Sequence, residues 1–379
     1  MAPASRSRMR SMRSWSTDWS TTLIDCKGAR WIVACLWAGT VACVSAEPID
    51  FVLCCASLDR PVRNHGSRYA GPMIDAHAHL DPSSSKAYRD EILAALADGV
   101  MDGLLLMPTP NHGRFKKGAQ SVGQIAELAA IPGGAIGSLC GAYAWNTWMG
   151  QQLSVSDSGL EKRRGELEAR IASGACIGIG EIATRHFEKW AGQAVLTVDF
   201  RSRALHALFT IAQGYGVPID LHVEPMEALG RSHEQASFAE LDQIFGRYPG
   251  IIVILAHTAM TSAANVQRMI ARYPKLYFSI KAVNRHSHWR NLEPVSLRRD
   301  KMAYFYEDWA QLLERHPQRF FVGSDFKFAR KIRNPPGGRK TLKKYRKLIS
   351  RYRDLLGSLD HQAARQIAWD TPRRLFNLD

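Results

Sequence analysis

Eight short apolar segments, each separated from the next by a helical or loop-like stretch, dominate the sequence from residue 73 onward. They lie at 73–76, 103–108, 135–140, 176–181, 217–222, 251–257, 276–280 and 319–325. A continuously apolar strand is buried on both faces, which is typical of a parallel sheet. Apolar residues recur at helical spacing at 86–96, 160–171, 200–212, 266–273, 304–313 and 342–355. Such alternation over about 300 residues predicts a (β/α)8 barrel, with an open doubly wound sheet as the alternative.

Side chains that bind metals stand at the C-terminal ends of five of these segments. They are His77 and His79 after the first segment, Glu181 at the fourth, His222 at the fifth, His257 at the sixth and Asp325 at the eighth. The first two are two residues apart, so a strand directs both to the same side. In a closed barrel all strand ends meet at one mouth, whereas in an open sheet they lie along an edge. The set therefore favours the closed barrel.

Each of these residues alone has a structural explanation. A histidine at a strand end is commonly a hydrogen-bonded core residue. Asp325 has the character of a helix cap, and Glu181 is a plausible partner for Arg185. Six such residues in register at strand ends are not explained in this way, because catalytic barrels draw their functional residues from several strand ends.

The sequence resembles the amidohydrolase superfamily, most closely its amidohydrolase-related branch of metal-dependent hydrolases and decarboxylases. The matching motifs are IDAHAH (74–79), GEI (180–182), LHVEP (221–225), AHT (256–258), GSD (323–325) and PRRLF (372–376). The resemblance covers residues 72–379. It implies a TIM barrel that forms a single catalytic domain, and it does not specify a substrate.

The resemblance also implies a role for each motif residue. His77, His79, His222 and Asp325 correspond to metal ligands, and His257 to a residue that binds a second ion or polarises the substrate. Glu181 stands where some members carry a bridging Lys or Glu. Because no Lys occupies this position, a carbamate bridge is not available, and the cofactor is one or two divalent ions. A histidine-rich set with carboxylates suits zinc, with manganese and iron as alternatives.

The chemistry of such a site is hydrolytic. A divalent ion activates water near neutral pH, Asp325 is placed to accept a proton, and His257 to stabilise an oxyanion. We expect a metal-dependent hydrolase that cleaves an amide, lactone or ester bond. The alternatives are a decarboxylase of aromatic or unsaturated acids, a phosphodiesterase similar to the TatD-like nucleases, and a barrel retained as a binding module. The complete ligand set argues against the last of these.

Positive charge is concentrated in one segment. The formal net charge is +15, and residues 327–354 hold twelve Lys and Arg against one acid. A diffuse nucleic-acid surface is therefore not indicated. Since this segment begins next to Asp325, we expect a small anionic substrate, with Arg185, Lys281 and Lys327 as candidate counter-charges. The basic face of the helix at 341–354 leaves peripheral contact with an anionic membrane as a second use.

The first 46 residues have the pattern of a leader. Basic residues precede a sixteen-residue uncharged run at 31–46, and the run ends in small residues, as in a secretory signal. We expect residues 1–46 to be a signal peptide, 47–71 a linker, and the protein to be periplasmic or secreted. The alternative is a cytoplasmic protein with a mis-assigned start. Cys140 and Cys176 lie in apolar segments, so we expect buried thiols rather than a disulfide.

Overall fold

The structure is a computed structural model that describes residues 19–26, 29–36, 60–64, 66–80, 85–110, 135–151, 157–187, 196–227, 231–281, 295–299, 302–328 and 339–378. It divides into two units, Met1–Arg60 and Pro61–Asp379. In the first unit, β1 (Trp19–Cys26) pairs antiparallel with β2 (Ala29–Leu36). No helix among these described residues has the length and apolar character needed to cross a membrane. The leader at 1–46 and the linker at 47–71 stay predictions.

The second unit contains the parallel sheet that the apolar segments predict. Its strands are β3 (Ile74–His79), β4 (Gly103–Met107), β5 (Ala135–Gly141), β6 (Gly178–His186), β7 (Leu196–Thr197), β8 (Ile219–Val223), β9 (Val253–Leu255) and β10 (Leu276–Ile280). The short β7 pairs antiparallel with β6. From β3 to β10 the strands other than β7 pair in parallel with their neighbours in chain order. A separate hairpin joins β11 (Ser296–Arg299) and β12 (Met302–Phe305).

The eighth strand closes the sheet because it is divided into two pieces that pair on opposite sides. Its first piece, β13 (Phe320–Val322), pairs in parallel with β10, and its second piece, β14 (Phe326–Lys327), pairs in parallel with β3. The Asp325 amide donates to the His77 carbonyl at 2.8 Å, between the two pieces. The first and last strands are thereby joined, which confirms the TIM barrel and excludes the open sheet.

Helices connect the strands. They are α1 (Ser85–Ala97), α2 (Ala142–Gln151), α3 (Asp157–Ala172), α4 (Arg203–Tyr215), α5 (Glu234–Arg247), α6 (Ala263–Arg272), α7 (Glu307–Arg315), α8 (Arg339–Leu356), α9 (His361–Arg365) and α10 (Thr371–Phe376). The helix predicted at 304–313 begins later than expected. Residues up to Phe305 belong to β12, and α7 begins at Glu307. Helices α2 and α5 were not predicted.

Helix α8 separates its apolar and basic faces as the sequence predicts. Tyr345, Ile349 and Tyr352 are buried, whereas Lys343 and Lys347 are exposed. Part of the basic charge is already balanced within the protein. Arg346 pairs with Asp98, and Arg353 donates to the carbonyls of Gly71 and Val100. Contact with an anionic membrane stays a prediction.

A disulfide joins Cys140 to Cys176, with their Cα atoms 5.8 Å apart. The expectation of two free thiols is therefore corrected. The physical reason is strand pairing: Leu139 of β5 lies opposite Gly178 of β6, so Cys176, two residues before β6, is brought next to Cys140 of β5. Both are almost fully buried.

Gly323 marks the closest approach of the eighth strand to the first. A Cβ atom at this position would lie 2.7 Å from Ser279 Cβ and 2.9 Å from His77 Cβ. We predict that Gly323→Ala lowers the free energy of unfolding by about 1–3 kcal/mol, because the added methyl overpacks this contact. Denaturant titration measures it. The control is Gly246→Ala on α5, where a Cβ meets no atom within 4 Å. Equal stability of Gly323→Ala and the unaltered protein would contradict the packing described here.

Candidate metal centre

The carboxylate of Glu181 lies at the centre of a group of imidazole rings. Its Oε1 atom is 2.6 Å from His222 Nδ1 and 3.4 Å from His257 Nε2. Its Oε2 atom is 3.5 Å from His79 Nε2 and 3.7 Å from His77 Nε2. The barrel thus brings together four histidines from β3, β8 and the turn after β9, around an acid from β6.

Asp325 contacts the same ring nitrogen of His79 that faces Glu181. Its Oδ1 atom is 2.8 Å from His79 Nε2, and its other carboxylate oxygen accepts a bond from Lys281 Nζ. The Asp325 backbone is left-handed, with φ of 50°. The six side chains at predicted strand ends are therefore neighbours at one mouth of the barrel.

The local positions differ in detail from those that the sequence predicts. His77 and His79 lie inside β3 rather than after it, Glu181 lies within β6, and His222 lies within β8. His257 follows β9 in a left-handed turn, with φ of 58°. Its amide donates to Ser279 Oγ at 3.0 Å, which fixes the turn on β10.

Glu181 is held through its backbone by a side chain that the sequence did not reveal. Asn146 on α2 donates from Nδ2 to the Glu181 carbonyl at 2.8 Å, and its Oδ1 accepts from the Ala183 amide at 3.0 Å. Asn146 is fully buried. No periodicity marks it, because its role depends on α2 lying against β6.

Buried imidazole nitrogens test whether these residues suit a metal ion. Within the described part of the chain, His77 Nε2, His79 Nδ1 and His257 Nδ1 are buried and have no hydrogen-bond partner. Buried polar atoms normally have partners, so each exception requires an explanation. Three of the four sets of donors that lie within 4.8 Å of one another among the described residues consist of predicted site residues: His77 with His79 and Glu181; His77 with His257 and Asp325; and Glu181 with His222 and His257. Imidazole and carboxylate donors at this spacing fit a divalent ion.

Comparison with known proteins identifies the family. The family model described as "Amidohydrolase" matches residues 166–378, which is more than half of the chain. This protein belongs to the amidohydrolase family. It is accordingly an enzyme of the metal-dependent hydrolase type. No curated protein matches the sequence.

Solved structures resemble this amidohydrolase in fold. A 2,6-dihydroxybenzoate decarboxylase complexed with 2,6-dihydroxybenzoate has a TM-score of 0.50 at 13% identity, over 81% of this chain and 99% of that chain. An uncharacterised TIM-barrel protein from Bordetella bronchiseptica has a TM-score of 0.47 at 13% identity, over 81% and 99% of the two chains. Dihydroorotase from Campylobacter jejuni has a TM-score of 0.45 at 14% identity, over 83% and 86%.

Two carboxylates of the amidohydrolase centre are held ionised. Burial opposes the charge of Glu181, but the surrounding histidines, His222 first, lower the pKa of its carboxyl well below its usual value. Burial also opposes the charge of Asp325, whereas Lys281 and Lys327 lower its pKa well below the usual value. The ionised forms of both acids are thus stabilised by histidine and lysine side chains of the centre itself.

The histidines divide into two classes. Burial lowers the pKa of His77, but Asp220 and Glu181 outweigh burial and raise it well above its usual value. His222 is similar: burial is outweighed by Glu181 and Glu224, and its pKa is raised. In His257, burial and then Lys281 lower the pKa to about 3. Its ring is therefore neutral at neutral pH.

The candidate counter-charges for substrate lie in three different settings. The Arg185 guanidinium is buried and donates to Ser237 Oγ at 2.9 Å and to Glu240, so its charge is already balanced on α5. Lys281 contacts Asp325 at the centre. Lys327 is exposed on β14. The remaining cations of the segments at 282–294 and 329–338 lie outside the described residues.

The sequence analysis did not predict two acids at the centre. Asp220 Oδ2 is 2.9 Å from His77 Nδ1, and Glu224 Oε1 is 2.9 Å from His222 Nε2. The sequence signal for them is the alternation of polar residues at 220, 222 and 224, which the period of two of an extended chain directs to one side.

Proposed function

We propose that this amidohydrolase cleaves an amide, lactone or ester bond with water, in a small substrate that carries a carboxylate. The observation that carries the proposal is the convergence of His77, His79, His222 and His257 on the Glu181 carboxylate, beside Asp325. In this proposal His77, His79, Glu181, His222 and Asp325 are the metal ligands. The donor set favours zinc, as one or two ions.

When bound, a divalent ion supplies a Lewis acid that makes water nucleophilic near neutral pH. The protein's own groups handle the protons. Asp325 is ionised, because its pKa is held low by Lys281 and Lys327 against the effect of burial, so its carboxylate can accept a proton from water. His257 is neutral, so its ring donates a hydrogen bond to a developing oxyanion without adding a charge.

In this proposal, Lys281 and Lys327 at the barrel mouth orient the substrate. Lys281 is mostly buried beside Asp325, where water screens its charge less than at the surface. Lys327 lies two residues after Asp325 and is exposed. We assign the binding of a substrate carboxylate to these two lysines. Arg185 is less suited, since it contacts Ser237 and Glu240 of α5 instead of Asp325.

Decarboxylation is the second candidate. A carboxylate held by Lys281 next to Asp325 is the group that a decarboxylase removes, and the solved structure with a TM-score of 0.50 is a decarboxylase. The two reactions differ in products, because only decarboxylation releases carbon dioxide. Phosphodiester cleavage is less favoured, because positive charge in the sequence is concentrated in residues 327–354 and does not indicate an extended nucleic-acid surface.

His79→Ala tests the proposed function. We predict that it lowers zinc occupancy and abolishes activity, because the ring is a proposed ligand. The change in unfolding temperature should be small, because this buried ring faces polar side chains of the centre. Metal analysis, calorimetry and a screen of lactones, amides, esters, phosphodiesters and aromatic acids, with carbon dioxide measured in parallel, provide the result. Activity that survives the substitution would show that the catalytic centre is elsewhere.

Lys281→Met tests the anionic substrate. For an acid substrate compared with its neutral amide, we predict that the preference for the acid falls about tenfold in kcat/KM, the worth of one charge-assisted hydrogen bond. Removal of this cation also raises the pKa of Asp325, so the acid limb of the pH profile moves to higher pH. Lys275→Met is the control, since Lys275 is exposed and contacts only the Gly250 carbonyl among its hydrogen bonds. Equal preference for acid and amide in the unaltered enzyme would rule out the anionic substrate.

We also propose that the protein is periplasmic or secreted after removal of residues 1–46. The basic-then-apolar pattern predicts export, and the Cys140–Cys176 disulfide supports it, because disulfides persist in oxidising compartments. Intact mass of the protein from its native source should show a shortened chain with two fewer hydrogens on this pair. A full-length chain with both thiols free would favour the cytoplasmic alternative.

A further inference from the structure

Strand β8 and the residue directly after it place a carboxylate on each side of a proposed metal ligand. Asp220 and His222 lie within β8, Glu224 follows its last residue, and all three are buried. Asp220 contacts a histidine of another strand, His77, whereas Glu224 contacts His222, two residues before it. This short segment thus reaches two histidines of the centre.

The two contacts involve opposite ring nitrogens. Asp220 Oδ2 faces His77 Nδ1 at 2.9 Å, and the free Nε2 of that ring faces Glu181 Oε2 at 3.7 Å. Glu224 Oε1 faces His222 Nε2 at 2.9 Å, and Nδ1 of that ring faces Glu181 Oε1 at 2.6 Å. Each ring thus lies between two carboxylates, whereas a neutral imidazole has one N–H to donate. With an ion bound beside Glu181, the nitrogen that faces Glu181 would be the ligand, and the N–H would be left to Asp220 or Glu224.

We infer that Asp220 and Glu224 are positioning residues that fix which nitrogen of His77 and His222 points into the centre. The inference rests on the proposed function, since it takes both histidines as metal ligands. His77 binds through Nε2 with Nδ1–H donated to Asp220. His222 binds through Nδ1 with Nε2–H donated to Glu224.

The two acids are positioned in different ways. Glu224 Oε2 accepts a hydrogen bond from the Phe187 amide at 2.7 Å, which limits rotation of its carboxylate. Asp220 lies directly against Gly180, where an added Cβ would come within 2.7 Å of Asp220 Cβ. Gly180 thereby allows β6 and β8 to approach each other next to Glu181, which places the backbone of Asp220.

The rival explanation for Glu224 is a separate ion. His186, His222 and Glu224 offer donors within 4.8 Å of one another. The two explanations make different predictions for His186. If Glu224 orients His222, removal of the His186 ring leaves the number of bound ions unchanged. If the three residues hold an ion of their own, His186→Ala loses that ion.

The experiment measures zinc affinity by competition with a chelator, in the full-length chain. Asp220→Asn and Glu224→Gln preserve shape but remove the charge that strengthens each hydrogen bond. We expect each to weaken zinc binding about 10–100-fold, the usual effect of such partners of metal-bound histidines. Glu91→Gln is the matched control, because Glu91 is a buried carboxylate on α1 outside the donor sets, and it should leave affinity unchanged.

Nitrogen NMR of zinc-loaded protein with labelled histidines shows which ring nitrogen carries hydrogen. A purely structural role of the two acids would not change this assignment. We expect His77 to be protonated at Nδ1 and His222 at Nε2. The same nitrogen bound to zinc in both rings overturns the inference, as does unchanged affinity in both acid variants. Loss of one zinc equivalent in His186→Ala overturns it for Glu224. A wild-type protein that binds no zinc defeats the proposed function and this inference together, whereas the other results leave the proposed function intact.

Discussion

The Glu181 carboxylate is buried at the centre of the barrel, and this burial constrains everything placed around it. An ionised carboxylate removed from water is costly unless opposite charge and hydrogen bonds surround it. Here four imidazoles face it, and Asn146 fixes its backbone. A second ionised acid, Asp325, stands beside His79. Two buried carboxylates and several unpartnered imidazole nitrogens together form a site suited to a divalent cation.

The barrel supplies the geometry that this charge arrangement needs. Residues of β3, β6 and β8 meet only because the sheet closes, and it closes because β13 and β14 pair on opposite sides. Asp325 occupies the break between these pieces, where its amide binds the His77 carbonyl. Asp75 supports the same region. It accepts bonds from Ser324 and from Tyr345 of α8, so the outer helix is tied to the residue preceding Asp325.

Much of this could be predicted from the sequence because two periodicities carry it. The apolar segments, separated by stretches with helical spacing, predicted the eight strands. The polar residues at the ends of these segments predicted the side chains that surround Glu181. The details that failed depend on contacts between distant residues. Asn146 has no sequence signal, the Cys140–Cys176 pairing depends on the register of β5 and β6, and Arg185 is neutralised by Glu240, which lies on a helix that was not predicted. Asp220 and Glu224 could have been predicted, since each lies two residues from His222 in an extended segment.

The proposed function requires that side chains far apart in the chain bind metal at one common centre. Anomalous diffraction at the zinc absorption edge, from crystals grown with zinc, locates that position directly. The account predicts one or two peaks enclosed by His77, His79, Glu181, His222 and Asp325. Peaks only outside this group, or none at full zinc exposure, would contradict it.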